Sequence, residues 1–131
     1  MEDSEQLRIW KGDFGEAYNA RVSLSAERLR PRLGLWSRIL SEMRGASPRS
    51  ILEIGANVGL NLVAIDKRGD TTVYALEPNE SARKSLVSKG ILPEDRVFDG
   101  TAAEIAMPDA SVDLAFTYAV LLHIAPDDLL E

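Results

Sequence analysis

The sequence predicts an α/β fold: a parallel sheet of about four strands with flanking helices, preceded by an N-terminal helical cover. Two observations predict the sheet. From residue 49 onward, short apolar runs alternate with helical stretches, which is typical of β-α-β units. A junction containing two glycines joins the first apolar run to the helix after it, as in open parallel sheets that bind ligands. We expect the cover over residues 1–48 and the core over residues 49–131, together one compact domain.

The cover is predicted from helical periodicity. In the segment RPRLGLWSRILSEMRG, apolar residues follow one another at steps of three and four: Leu33, Trp36, Leu40 and Met43. This spacing gives a helix one apolar face. Pro31 is acceptable in a first helical turn, and Gly45 is a stop signal. The segment therefore predicts an amphipathic helix that covers the core.

Four strands are predicted in the core, at approximately 50–54, 72–77, 95–98 and 112–118. Helices are expected near 58–67 and 80–89, with Gly90 ending the second. After the residues FDG, a short helical or loop segment leads through Pro108 into the fourth strand. Right-handed crossovers would place the strands in one twisted sheet.

The composition excludes several classes of site. The 131 residues include 15 Lys and Arg against 21 Asp and Glu, a net charge of −6, so nucleic acid and membrane surfaces are disfavoured as partners. The chain has no cysteine and one histidine, which excludes disulfides, thiolate metal sites and His-rich zinc sites, and no metal is expected. The start MEDSEQLRIW lacks signal-peptide features, and no segment is long and apolar enough for a membrane span, which favours the cytoplasm.

The junction GANVG and the end of the second strand predict an adenosine-bearing cofactor. Gly55 can turn sharply, Asn57 tolerates a left-handed backbone, and Gly59 lets the next helix pack closely. The start of that helix, residues 58–61, would suit a carboxylate or phosphate. Glu77 ends the second strand, where its two oxygens can accept both hydroxyls of a ribose.

The loop favours S-adenosylmethionine over a dinucleotide. Dinucleotide loops read G-x-G-x-x-G to cradle a pyrophosphate, and this loop does not. Glu53, two residues before the first glycine, would repel a pyrophosphate but can help to organise an ammonium group. The alternative interpretation is that loop amides satisfy the Glu53 carboxylate, which then has no ligand.

Three segments, ILEIGANVGLN, VYALEPN and FDGTAAEIAMPDASVDLAFTYAVLLHI, resemble successive motifs of the class I S-adenosylmethionine-dependent methyltransferases, whose fold is Rossmann-like. The resemblance covers residues 50 to about 124 and implies S-adenosylmethionine as cofactor and S-adenosylhomocysteine as product. The cofactor-binding residues that it implies are Glu53, Gly55, Ala56, Asn57, Gly59 and Asn61 around the methionine, Glu77 and Pro78 at the ribose, and Asp99, Gly100, Thr101 and Ala102 beside the adenine. Asn57 departs from the family pattern, where many members have glycine.

The segment WKGDFGEAYNAR resembles a narrower group, the methylases associated with pseudaminic acid biosynthesis, which implies a sugar or sugar derivative as substrate. Trp10, Phe14 and Tyr18 are spaced by four, so they would share one helical side, either as a lid over the cofactor or as a core-packing stripe. Residues 1–50 carry nine Lys and Arg against seven Asp and Glu. Four of these arginines could meet an anionic sugar, the alternative being a solvated helix face: Arg21, Arg28, Arg30 and Arg32.

Two residues after the fourth strand are candidates for catalysis. His123 is the only histidine, and histidine titrates near neutrality, so it is the candidate general base. The Tyr118 hydroxyl could orient the substrate. Structural packing is the alternative role for both side chains.

The fold of the resembled family typically has seven strands, whereas this sequence stops just after the fourth. We therefore expect that the final strands and much of a substrate pocket are missing. A fourth strand left uncovered would favour self-association through its edge. Two other functions remain open at this point: a nicotinamide-dependent sugar oxidoreductase, which Glu77 would serve equally well, and a non-catalytic S-adenosylmethionine-binding module.

Overall fold

The computed structural model describes residues 3–43 and 45–129. Five α-helices lie in these ranges: α1 Glu5–Lys11, α2 Asp13–Arg21, α3 Ala26–Glu42, α4 Leu60–Asp66 and α5 Glu80–Ser88. The N-terminal third is helical, as expected. The outermost residues of the expected cover and core, 1–2 and 130–131, and residue 44 lie outside the described ranges, and the division after residue 48 stays a prediction.

Four parallel strands form the sheet, which confirms the predicted fold class. They are β1 Ser50–Ile54, β2 Thr72–Leu76, β3 Val97–Phe98 and β4 Leu114–Thr117. Their order across the sheet is β3-β2-β1-β4, and each neighbouring pair is parallel. β1 lies between β2 and β4. After β1 the chain adds β2 and β3 on one side of it, and β4 is added later on the other side. The carboxyl end of β1 is therefore at the switch point where open α/β sheets bind ligands.

Several element boundaries differ from the prediction. Helix α3 begins at Ala26, so Pro31 lies inside the helix and not in its first turn. Two further differences are caused by turns. The strand expected at 95–98 is shorter, because Glu94–Arg96 forms a 3₁₀ turn and only Val97–Phe98 pairs with β2. The helix expected from residue 58 begins at Leu60, because Gly59 takes a left-handed backbone with φ 84° that a helix cannot include. In both cases, residues that the prediction assigned to the start of the strand or helix form a turn instead.

The hydrophobic core lies between one face of the sheet and helices α3, α4 and α5. Ile51, Val73 and Leu114 stand in register on that face of β1, β2 and β4. The same cluster contains one large buried side chain from each helix: Trp36, Leu62 and Leu86. On the other face Tyr74 and Phe98 are half-buried and Ala115 is exposed. Since alternate residues of a strand point to the same face, Glu53 lies on the same helix-covered face as Ile51.

Asp113 fixes the register of the edge strand β4 against β1. Its Oδ2 accepts the backbone N–H groups of Arg49 at 2.8 Å and Ser50 at 3.1 Å, immediately before the first residue of β1 that pairs with β4. Its own N–H donates to Ser50. These hydrogen bonds hold the pKa of Asp113 below its usual value. A one-residue slip of β4 would break them and turn its side chains to the wrong face.

None of the helices in the described residues combines the length and the apolar character that a bilayer crossing requires. The same residues contain no group of three or more His, Asp or Glu side chains placed to hold a metal ion.

Candidate functional site

Two buried glutamates mark the carboxyl ends of adjacent strands. Glu53 is the fourth residue of β1, and Glu77 follows directly after β2. Their exposed fractions are 2% and 6%. In the sheet register, Glu53 stands opposite Ala75, two residues before Glu77. The structure thus places on neighbouring strands the two acids that the sequence assigned to the methionine and ribose parts of one cofactor.

The Glu53 carboxylate has one oxygen satisfied and one without a partner. Asn61 Nδ2 donates to Oε1 at 2.6 Å, and Trp36 Nε1 donates to Asn61 Oδ1 at 3.2 Å. Oε2 is buried and has no hydrogen-bond partner. Burial raises the pKa of Glu53 to about 8, although the Asn61 hydrogen bond and the Arg32 charge oppose this rise. When Glu53 is ionised, Oε2 therefore lacks a positively charged or hydrogen-bond-donating partner.

The glycine loop after β1 uses its own N–H groups internally. Those of Gly55 and Ala56 donate to the Leu76 carbonyl at 2.8 and 3.2 Å, and that of Gly59 donates to the Ala56 carbonyl at 2.9 Å. The N–H groups of Asn57 and Val58 donate to Glu77 Oε2 and to Asn57 Oδ1, both at 2.7 Å. This row therefore presents no free donors to a pyrophosphate. The loop amides also leave Glu53 unsatisfied, which removes the interpretation that they complete its carboxylate.

Gly55 and Gly59 are required by both backbone and space. Their φ angles are 79° and 84°, in the left-handed region that favours glycine. A Cβ on Gly55 would collide with Val120 Cγ2, and one on Gly59 would lie 2.6 Å from Leu86 Cδ2. The turn after β4 and helix α5 thus pack directly on the loop. Asn57 has φ 51°, a shape that asparagine tolerates better than most residues.

Glu77 is held by two backbone N–H groups. Asn57 N–H donates to Oε2 at 2.7 Å, and Asn79 N–H donates to Oε1 at 2.9 Å. Burial raises the pKa of Glu77, while these two hydrogen bonds and the Arg83 charge favour its ionised form. Since each carboxylate oxygen has two acceptor positions, Glu77 can still accept two hydroxyl groups.

Helix α2 lies over Glu77 and is attached by asparagine side chains. Asn19 Oδ1 accepts Asn57 Nδ2 at 2.7 Å, and Asn19 Nδ2 donates to Asn79 Oδ1 at 2.8 Å. Asn79 Nδ2 also donates to the Trp10 carbonyl at 3.0 Å. Gly15 is buried at this contact. A Cβ at this position would lie 2.9 Å from Asn79 Nδ2, so only glycine allows the helix to approach this closely. The sequence prediction did not include Asn19, Asn79 or Trp36 in the site; a cap signal at Asn79, just before α5, was available.

Trp10, Phe14 and Tyr18 form one cluster but do not share one helix. Gly12 separates α1, which contains Trp10, from α2, which contains Phe14 and Tyr18. Both rings meet Trp10 edge-on, at centroid distances of 5.1 and 5.3 Å. The expectation of one helical side is wrong, because the extended backbone of Gly12 breaks the helix. Whether the cluster acts as a lid stays a prediction.

The two catalytic candidates lie on the turn after β4. His123 is exposed and meets Trp10 edge-on at 4.7 Å between ring centroids. A groove of about 400 Å³ beside it is bordered by Trp10, Phe14 and Leu122. Tyr118 is 45% exposed, and the Arg32 guanidinium lies 3.8 Å from its ring centroid. A cation, a hydroxyl and an imidazole are thus available along this turn.

The segment after β3 borders the Glu77 end of the site. Asp99 accepts a hydrogen bond from Arg83 Nη1 at 3.0 Å, and Arg83 Nη1 also donates to the Glu77 carbonyl at 2.7 Å. Thr101 forms an isolated bridge with Glu104, while Ala102 is exposed. Gly100 passes close to Leu76, since a Cβ there would lie 2.8 Å from Leu76 Cδ1. Pro78 follows Glu77 and is half-buried.

Comparison with known proteins agrees with this architecture. Residues 52–131 match the model of a methyltransferase domain. An uncharacterised methyltransferase of Bacillus pumilus is 25% identical over 115 residues, which are 88% of this chain and 53% of that protein. The chain thus spans about half the length of the curated relative that it matches.

Two solved structures are similar in fold. One is the phosphoethanolamine N-methyltransferase 1 of Haemonchus contortus in complex with phosphoethanolamine and S-adenosylhomocysteine, with a TM-score of 0.65 and 18% identity over 99% of this chain and 29% of that one. The other is the plantazolicin methyltransferase BpumL, in complex with a monoazolic desmethyl-plantazolicin analogue and S-adenosylhomocysteine, with a TM-score of 0.64 and 16% identity over 95% of this chain and 49% of that one. At these identities the likeness establishes the fold.

Proposed function

This chain belongs to the methyltransferase domain family, and we propose that it forms the S-adenosylmethionine-binding part of an enzyme that methylates a small molecule. One observation carries the proposal. Two buried carboxylates, Glu53 and Glu77, stand at the carboxyl ends of neighbouring strands, each with acceptor capacity left over. S-adenosylmethionine carries an ammonium group at one end and a ribose diol further along, which are the two kinds of donor that such a pair accepts.

The residues fit this cofactor. The unpartnered Oε2 of Glu53 suits the ammonium group, and the remaining acceptor positions of Glu77 suit the ribose hydroxyls. When bound, S-adenosylmethionine supplies a methyl group activated by a positively charged sulfur, and it leaves as S-adenosylhomocysteine. The other residues proposed to border it are Gly55, Ala56, Asn57, Gly59 and Asn61 around the methionine, Pro78 at the ribose, and Asp99, Gly100, Thr101 and Ala102 at the adenine.

The chain contributes mainly position and proton transfer. A methyl group on a sulfonium needs little activation, so holding the acceptor in line with it provides much of the rate. We assign that orientation to the Tyr118 hydroxyl and the general base to His123, which would take the proton of a poorly acidic hydroxyl at a free ring nitrogen. The exposed position of His123 beside the groove supports its role.

The acceptor that we propose is a sugar or sugar derivative with an acidic group, as in the pseudaminic acid-associated methylases. The support is Arg32, whose guanidinium stands beside Tyr118 at the end of β4 and can pair with a carboxylate or phosphate. An acidic group is also present in phosphoethanolamine, the ligand of one similar structure. We place the reaction in the cytoplasm, as the cysteine-free sequence suggests.

Calorimetric titration with S-adenosylhomocysteine tests the proposal. We expect saturable one-site binding by the parent chain and none to NAD, because the loop lacks free N–H groups for a pyrophosphate. Glu77→Ala should lose the binding, while Glu80→Ala, an exposed carboxylate on α5, should keep it. Binding of NAD instead would favour the nicotinamide-dependent oxidoreductase, and binding of neither ligand to the folded chain would overturn the proposal.

Turnover separates an enzyme from a binding module. His123→Ala should lower turnover by about 10²-fold or more and leave S-adenosylhomocysteine affinity unchanged. Normal turnover in this variant would remove the base role. Absence of methyl transfer from the parent protein to acidic sugars, despite cofactor binding, would favour the non-catalytic module.

The edge position of β4 bears on self-association. β4 pairs with β1 on one side only among the described strands, and an edge of this kind offers unpaired backbone groups to another chain. We propose that this chain associates with itself through that edge. Size-exclusion chromatography should then give an apparent mass that rises with concentration; a monomer over a broad concentration range would contradict it.

A further inference from the structure

We propose that Asn19 is a positioning residue of the ribose-binding site: it bridges Asn57 and Asn79, whose backbone N–H groups hold Glu77. This inference rests on the proposed function for the identity of the ligand. It assigns to helix α2 a role that the motifs of the core do not contain. The cover would thereby fix the position of Glu77, the carboxylate proposed to bind the ribose.

The bridge is a closed set of hydrogen bonds. Asn19 Oδ1 accepts Asn57 Nδ2 at 2.7 Å, and Asn19 Nδ2 donates to Asn79 Oδ1 at 2.8 Å. The backbone N–H groups of Asn57 and Asn79 donate to the two oxygens of Glu77, at 2.7 and 2.9 Å. The Asn19 carboxamide thus joins the two residues whose backbone N–H groups hold Glu77.

Both bridged residues are already committed to the core by other hydrogen bonds. Asn57 Oδ1 accepts the N–H of Val58, and Asn79 Oδ1 accepts the N–H of Ala82 at the start of α5. Asn79 is 2% exposed, so its side chain cannot turn to solvent. Movement of Asn19 is therefore transmitted to the loop after β1 and to the cap of α5, which are the two supports of Glu77.

The packing of α2 leaves little freedom in this contact. Gly15, one turn before Asn19, allows the helix to approach closely, since a Cβ would collide with the Trp10 carbonyl and lie 2.9 Å from Asn79 Nδ2. Asn79 Nδ2 also donates to the Trp10 carbonyl and, at 3.3 Å, to Glu16 Oε1. The contact is specific, because it joins polar groups of fixed orientation.

Three features distinguish this role from general support of the cover. Loss of the bridge should weaken ligands that carry the ribose hydroxyls more than ligands without them. It should be non-additive with changes at Glu77, because both act on one site. It should also alter the titration of Glu77 in the free protein, since the two backbone N–H groups stabilise its ionised form.

The test uses Asn19→Ala, Asn19→Asp and the matched control Asp13→Ala, an exposed polar residue of the same helix. By calorimetry we expect S-adenosylhomocysteine to bind about tenfold more weakly to Asn19→Ala, which corresponds to about one hydrogen bond. Asn19→Asp keeps the acceptor for Asn57 but places a carboxylate oxygen against the acceptor oxygen of Asn79. Because two acceptors repel each other, this variant should bind S-adenosylhomocysteine at least as weakly as Asn19→Ala. Asp13→Ala should match the parent.

An analogue of S-adenosylhomocysteine without the 2′ and 3′ hydroxyls provides the selective readout. We expect it to bind the parent and Asn19→Ala with equal affinity. In the background of Glu77→Gln, Asn19→Ala should weaken S-adenosylhomocysteine less than about twofold further. Equal losses for both ligands, or full additivity with Glu77→Gln, would overturn the positioning role.

NMR titration of the Glu77 carboxyl in the free protein requires no cofactor. Asn19→Ala should raise the pKa of Glu77 above that of the parent, and Asp13→Ala should not. If the parent binds no S-adenosylhomocysteine but this rise occurs, the proposed ligand is wrong and the coupling of Asn19 to Glu77 stands. If the pKa is unchanged in Asn19→Ala, the inference is overturned whatever the ligand.

Discussion

The ends of β1 and β2 each bury a glutamate, yet their surroundings are opposite in kind. Glu77 receives two backbone N–H groups, at 2.7 and 2.9 Å. Glu53 receives one side-chain donor at 2.6 Å and keeps a second oxygen without a partner. Burial alone therefore does not define what a carboxylate does. The number of donors distinguishes an acid that holds its own loops together from one that needs a further donor.

The largest difference is expected from removal of the Glu77 carboxylate. Glu77→Ala leaves the N–H groups of Asn57 and Asn79 without their acceptor, and each such loss costs about 1–3 kcal/mol. We expect a fall of about 3 kcal/mol in the free energy of unfolding, measured with urea at pH 7. Glu80→Ala, on the exposed side of α5, should change the free energy of unfolding far less. Similar losses in the two variants would remove the distinction.

Glu53 is expected to destabilise the fold as pH rises. Its pKa is about 8 in the folded protein, against an ordinary value of 4.5, so between these values the folded state holds a proton that the unfolded state has lost. The stabilisation is complete below pH 4.5 and is lost as pH approaches about 8. The slope contributed by this group is at most about −1.4 kcal/mol per pH unit.

Glu53→Gln should remove that slope, because glutamine does not titrate. Urea unfolding of parent and variant from pH 5 to pH 8 measures the difference between them, and the stability of the variant relative to the parent should increase steadily over this range. Glu80→Gln is the control and should keep the parental slope. A parallel pH dependence in Glu53→Gln and parent would show that Glu53 ionises normally.

A smaller effect on stability is expected from Trp36, which contacts Asn61, the hydrogen-bond donor to Glu53. Trp36 Nε1 donates to Asn61 Oδ1, so Trp36→Phe removes one buried hydrogen bond worth about 1 kcal/mol, plus a small packing loss. In the background of Asn61→Ala the same change should cost distinctly less, because the acceptor is already absent. Chemical unfolding of the four proteins gives the coupling. Equal costs in both backgrounds would mean that Trp36 contributes by packing alone.

The smallest effect concerns the charge that faces Glu53. Arg32 lowers the pKa of Glu53 by its positive charge, so Arg32→Ala should raise it further, by less than about one pH unit. NMR titration of the Glu53 carboxyl measures this shift. Arg30→Ala, an exposed arginine on the same helix, should leave the titration unchanged, and an equal shift in both variants would indicate a general charge effect.

The sequence was sufficient for features that lie next to strand ends along the chain. Glu53, Gly55 and Glu77 follow directly from the apolar runs of β1 and β2, because parallel strands bring their carboxyl ends to one edge. The sheet and the methyltransferase family are confirmed. The individual site residues, among them Tyr118 and His123, stay predictions that the proposed binding and turnover measurements address.

The partners of these residues could not be predicted, because they come from distant parts of the chain. Asn19 and Asn79 are 60 residues apart, and Trp36 and Asn61 are 25 apart. Three of these polar or aromatic residues lie in helices and Asn79 caps one. At such positions an exposed role and a packing role are equally compatible with the sequence pattern. The break at Gly12 was missed for a similar reason, since the aromatic spacing of four continued across it.

The position of β4 has a consequence for the order in which the protein folds. β1 and β2 are joined by one short helix, whereas Ile51 pairs with Leu114 across most of the core sequence. Closing so long a segment costs more chain entropy, and non-local pairings form late and slowly. During synthesis the acids of β1 and β2 can therefore be assembled before the turn that carries Tyr118 and His123 has docked.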